Sequence, residues 1–107
     1  MSGISTHVLD TSGGKPATGV RVLLERQVPN GWHSAGQGIT DDNGRIPRLL
    51  PGDGQLEAGV YRLVFHPGAY SQFYPEIAVQ FRVEDPTMNY HIPILLSPYG
   101  YTTYRGS

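Results

Sequence analysis

The apolar positions of this chain come in short runs, and none keeps the three-to-four-residue spacing of a helix over the ten or so residues a helix needs. What recurs is strict alternation. In the stretch IAVQFRV, Ile77, Val79, Phe81 and Val83 share one face while Gln80 and Arg82 share the other, the pattern of a half-buried strand. Read this way, the chain predicts strands over residues 4–10, 20–28, 32–40, 45–49, 59–66, 76–84, 88–97 and 99–105. Eight short strands in 107 residues predict an all-β fold, a two-sheet β-sandwich forming one domain over residues 1–107. Two turns carry Asn-Gly, Pro29-Asn30-Gly31 and Asp41-Asp42-Asn43-Gly44, and both read as tight antiparallel connections. The one stretch able to form a short helix is 68–74, confined by Pro67 and Pro75.

Two strands break the alternation. From residue 88 onward, Tyr90, Ile92, Ile94 and Leu96 form one face, and His91, Pro93 and Leu95 form the other. In the first strand Val8 points to the core, with His7 and Leu9 opposite. A sheet face carrying Leu9, Pro93 and Leu95 beside two histidines predicts a subunit interface or a ligand surface. If the first strand and the strand from residue 88 are neighbours in one sheet, His7 and His91 come within reach of each other. The other two histidines, His33 and His66, read as structural or simply exposed.

Composition narrows the chemistry. A formal net charge of −1, from Lys+Arg 8 against Asp+Glu 9, gives no electrostatic footprint for nucleic acid or an anionic membrane. The N-terminal stretch has neither the basic nor the apolar region of a leader, and no window approaches a membrane span, so the expected location is the cytoplasm. With no cysteine, disulfides, thiolate metal sites and a Cys nucleophile are excluded. Two histidines without a third ligand at recognisable spacing do not complete a zinc site, and no G-x-S-x-G elbow supports a serine hydrolase. No metal and no cofactor are expected. What remains is a His pair able to work on a water, with arginines able to grip a planar, oxygen-rich ligand.

Three segments, HVLDTSGGKPATGVRVLL, DDNGR and YHIPILLSPYGYTTYRGS, resemble in order and spacing the signatures of the transthyretin-related 5-hydroxyisourate hydrolases. The terminal Tyr-Arg-Gly-Ser is the most specific of them. The resemblance implies a transthyretin-like fold of two four-stranded sheets and a short helix. It also implies a homotetramer, a dimer of dimers, with active sites at the subunit interface. The implied reaction is hydrolysis of 5-hydroxyisourate to 2-oxo-4-hydroxy-4-carboxy-5-ureidoimidazoline in urate degradation, by opening a ring amide bond. Transthyretin, the hormone-carrying relative, shares the fold and the LLSPY segment but lacks the two histidines, the arginine and the Tyr-Arg-Gly-Ser ending. The segment HPGAYSQFYPE is shorter here than is usual in the family, which bears on the length of the helix.

The residues carried over by the resemblance are His7, Arg45 and His91, with Tyr104, Arg105, Gly106 and Ser107 from the tail. In the implied mechanism His7 and His91 position and deprotonate water, with either able to be the base. Arg45 keeps a histidine neutral and stabilises oxyanion charge. Ser107 joins the catalytic set through its hydroxyl or a chain-end carboxylate, while Tyr104, Arg105 and Gly106 bind substrate. The alternative is a non-catalytic, ligand-carrying or adhesive β-sandwich.

Overall fold

Alternation in the first strand organises the molecule. In the computed structural model, which describes residues 3–51 and 55–107, β1 (Gly3–Asp10) buries Ile4, Thr6 and Val8 and leaves Ser5, His7 and Leu9 half-buried on the other face. The strands that follow are β2 (Lys15–Pro16), β3 (Arg21–Val28), β4 (Gly31–Ile39), β5 (Arg45–Ile46), β6 (Gly59–His66), β7 (Ile77–Val83), β8 (Asn89–Ser97) and β9 (Gly100–Thr103). They form two sheets. One has the order β2-β1-β8-β9 with β5 also paired to β1, and the other has the order β4-β3-β6-β7. The β1–β8 pair is parallel, and it joins the two strands on which the histidines lie.

Between the sheets Val8, Val22, Leu24, Leu63, Phe65, Ile94 and Leu96 are fully buried. Each such side chain contributes roughly 1.5–3 kcal/mol relative to an exposed one. The polar groups in this core are satisfied: Thr6 Oγ1 donates to Ile92 O at 2.6 Å, tying β1 to β8, and Thr40 Oγ1 donates to Ala17 O at 2.7 Å. The face of the second sheet turned away from the core carries an ion pair, although the buried His66 Nδ1 on that face has no partner among the described residues. There Arg62 Nε donates to Glu25 at 2.6 Å and its guanidinium stacks 4.2 Å from the Trp32 ring. No helix among the described residues is long and apolar enough to cross a membrane.

The two-sheet sandwich is as the alternation predicts, with four differences of detail. The expected short helix is only a 3-10 turn, Gly68–Tyr70, closed by Tyr70 N–H to Pro67 O at 3.2 Å and Ser71 N–H to Gly68 O at 3.3 Å. Ser71 is already extended at φ −157°, ψ 105°, which ends it. The strand expected over 45–49 shrinks to Arg45–Ile46, because Pro47 has no N–H for the ladder. The small β2 is added, so the first sheet has five strands rather than four. Finally, the 29–31 turn is a β3–β4 hairpin, but the 41–44 turn is not: it carries the chain from β4 in one sheet to β5 in the other.

Candidate active site

The outer face of the first sheet holds the candidate chemistry. The parallel register sets Ser5 beside His91, His7 beside Pro93 and Leu9 beside Leu95. On the other flank of β1, β5 sets Arg45 directly opposite His7. Because the side-chain period is two, all of these share one face, with His7 and His91 staggered by one pair along adjacent strands. Two imidazoles and a guanidinium therefore meet at one end of a patch whose other end is Leu9 and Leu95.

The turn before β5 is what delivers Arg45. Asp41 Oδ1 accepts hydrogen bonds from the N–H groups of Asn43 and Arg45, each at 2.9 Å, and Asp41 N–H donates to Arg45 O at 3.0 Å. The N–H of Arg45 comes first among the causes that hold the Asp41 carboxyl below its ordinary value, with the Asn43 N–H and the Arg45 and His7 charges adding to it. Gly44 completes the device. Its φ is +73°, its carbonyl accepts from Val8 N–H at 2.7 Å, and a Cβ there would lie 2.4 Å from Val8 O. The DDNGR segment is thus a clasp that fastens Arg45 to the strand of His7.

The tail reaches the same face by a different route. β8 and β9 pair in register from Ser97↔Gly100 to Ile94↔Thr103, where the ladder stops. Pro93, next in line, has no N–H to offer, and its carbonyl is taken by Thr103 Oγ1 at 2.7 Å. This is why the strand expected over 99–105 ends early. Beyond the gap the pairing resumes in the same register with the bridge His91↔Gly106, where Gly106 N–H donates to His91 O at 2.8 Å. Gly106 lies so close to the imidazole that a Cβ on it would be 2.6 Å from His91 Cδ2.

A cleft of about 470 Å³ results, lined by Ser5, Arg45, Arg48, Asn89, His91 and Ser107 among others. That size suits a small-molecule ligand. His7 is not in its lining; it stands behind, paired to Arg45 and close enough for its charge to act on His91. Burial first, then the charges of Arg45 and His7, push the His91 pKa below its ordinary value and favour neutral imidazole. Ser5 Oγ and His91 Nδ1 are hydrogen-bonded at 2.8 Å. Among the described residues no three His, Asp or Glu side chains gather where they could share a metal ion.

The structure thus brings Arg45, His91, Gly106 and Ser107 together, with His7 adjoining. It does not bring Tyr104 and Arg105 to this cleft. Alternation turns Arg105 to the opposite side of the chain from Gly106, where its guanidinium sits 4.8 Å from the Tyr90 ring. Arg105 and the exposed Tyr104 line a separate groove of about 330 Å³ with Val79, Phe81 and Ile92. Ser5, Arg48 and Asn89 escaped the sequence reading, although the two-residue spacing of Ser5 from His7 was enough to place both on one face.

An antiparallel-rich sandwich with imidazole and guanidinium groups clustered on the outer face of one sheet is the class of protein that the fold and this cleft define. Residues 4–106 match the family described as HIUase/Transthyretin, and the chain belongs to that family. It is 46% identical over 110 residues to the 5-hydroxyisourate hydrolase of Salmonella dublin, covering 97% of this chain and 80% of the relative. Among solved structures it resembles the Klebsiella pneumoniae 5-hydroxyisourate hydrolase, with TM-score 0.82, 34% identity and coverage of 97% and 98% of the two chains. It also resembles sea bream transthyretin in complex with thyroxine, with TM-score 0.86, 31% identity and coverage of 96% and 93%.

Proposed function

We propose that the protein hydrolyses 5-hydroxyisourate in urate degradation, adding water across a ring amide bond to give 2-oxo-4-hydroxy-4-carboxy-5-ureidoimidazoline. The observation that carries this reading is the convergence of Arg45, His91 and Ser107 on one cleft, with His7 alongside, in a chain 46% identical to a hydrolase of that name. A neutral histidine takes a proton from water as the oxygen adds to the ring carbonyl. The tetrahedral oxyanion is stabilised by the Arg45 guanidinium, and the proton returns to the departing ring nitrogen as the C–N bond breaks. Gly106 and Ser107 bound the place where the substrate ring lies. Arg105 acts on the substrate indirectly, by anchoring the tail through its stack on the Tyr90 ring. No cofactor enters the scheme, and the reading places the reaction in the cytoplasm.

The decisive experiment follows the ultraviolet absorbance of freshly generated 5-hydroxyisourate with and without the protein. Faster decay supports the reading, while binding without faster decay supports the ligand-carrying alternative. The pH dependence in the same assay has a fixed sign. His91 must be neutral to act as base, and its pKa lies below the ordinary value of about 6.5. Activity is therefore expected to hold through neutral pH and fall on the acid side with a midpoint below about 6.5. A midpoint at or above that value takes the base away from His91.

The same reading includes a homotetramer, a dimer of dimers, with the sites between subunits. Supporting it is the position of half-buried Leu9 and Leu95, side by side on the face that carries the imidazoles. A Leu95→Asp substitution is expected to dissociate the assembly and to remove most of the activity with it. Light scattering and the decay assay on one preparation check both; a wild type that is monomeric and fully active rules the tetramer out.

A further inference from the structure

The hydrogen bond between Ser5 and His91 has no part in the chemistry described so far, and it bears on which nitrogen does the work. We propose that Ser5 is a positioning residue that keeps the single proton of neutral His91 on Nδ1 and so presents Nε2 to the cleft as an open lone pair. The proposal rests on the hydrolase reading for its catalytic consequence, but not for the tautomer itself.

Three observations support it. Ser5 Oγ lies 2.8 Å from His91 Nδ1, so that nitrogen is engaged whichever way the proton lies. The opposite edge of the ring is blocked by the Gly106 backbone, which crowds Cδ2 and also ties down the His91 carbonyl. Held on both edges, the ring has one nitrogen, Nε2, with no hydrogen bond among the described residues, and His91 lines the cleft.

A neutral imidazole carries one N–H, so the choice at Nδ1 decides Nε2. If Ser5 donated, Nε2 would carry the proton and could not accept one from water. If Ser5 accepts, Nε2 is bare. Of the groups around His91, Arg45 from β5 and His7 on β1 act on its ring by their charge, while Arg48 lines the same cleft with its Nε donating to Leu50 O and Ser107 lines it from the tail. Asp41 lies beyond, bound to the backbone of Arg45. The Arg45 guanidinium favours the tautomer that turns a lone pair toward the cleft and the N–H away. The depressed pKa of His91 keeps the imidazole in the neutral form for which the choice of tautomer has meaning.

The test uses 15N-labelled protein, without substrate, near pH 8, with the His91 ring nitrogens assigned by NMR. The expected result for the wild type is a protonated Nδ1 and an unprotonated Nε2. Ser5→Ala is expected to shift the ring to a mixture of tautomers and to lower kcat on 5-hydroxyisourate about tenfold, the loss of one hydrogen bond, with KM little changed. Ser5→Thr, which keeps the hydroxyl, is expected to restore both tautomer and kcat. A wild-type spectrum with the proton on Nε2, or a Ser5→Ala variant with unchanged tautomer and kcat, overturns the proposal. A wild type without hydrolase activity overturns the proposed function instead, and the spectrum still decides the tautomer.

Discussion

Replacing His91 with alanine is expected to lower kcat/KM for 5-hydroxyisourate by about 10²-fold or more while the sandwich stays folded. The magnitude is that of a lost acid–base group. The fold survives because His91 sits on the outer face of β8, and the core of that strand comes from Tyr90, Ile92, Ile94 and Leu96 on the other side. Unchanged circular dichroism alongside the kinetic loss separates chemistry from folding. His91→Ala activity within a few-fold of wild type would take His91 out of the mechanism and leave His7 as the base.

A chain that stops after Thr103 is expected to lose hydrolysis to a similar or greater degree. Such a truncation removes Ser107 from the cleft and Gly106 from the edge of the His91 ring, so the imidazole loses one of its two restraints. Misplacement of a reacting group by an ångström alone costs on the order of 10²-fold. Stability changes far less. The deleted residues contribute one backbone hydrogen bond to His91 and the Arg105–Tyr90 stack, each about 1 kcal/mol. A thermal melt close to that of the full chain, with hydrolysis gone, is the expected pair of results. Retained activity would show that the tail plays no part in the site.

Alternation made most of the architecture legible in the sequence. It sorted Ile4, Thr6 and Val8 from Ser5, His7 and Leu9, and Tyr90, Ile92, Ile94 and Leu96 from His91, Pro93 and Leu95, and the burial follows that sorting. The pairing of β1 with β8 stood only as a condition, because residues more than eighty positions apart carry no local trace of their adjacency. The 41–44 turn misled for a related reason: Asn-Gly satisfies a turn locally, but whether the chain returns to its own sheet or crosses to the other is decided by packing. The tail was read as one continuous strand because its β-rich composition is uninterrupted. The break comes from Pro93, a residue of the partner strand, which no inspection of residues 99–105 alone reveals.

That break has a consequence for how the tail tolerates change. Tyr104 and Arg105 bridge the gap without a ladder hydrogen bond of their own, yet Gly106 lands opposite His91 in the same register as the strand before them. What is constrained there, besides the Arg105 contact with Tyr90, is a count and its parity. Swapping one side chain for another at 104 or 105 leaves the reading frame of the strand intact. Inserting a single residue between Thr103 and Gly106 shifts that frame by one step, exchanging inward for outward positions, and brings a side chain against an imidazole edge that accommodates only hydrogen. The length of this bridge is therefore expected to be held fixed.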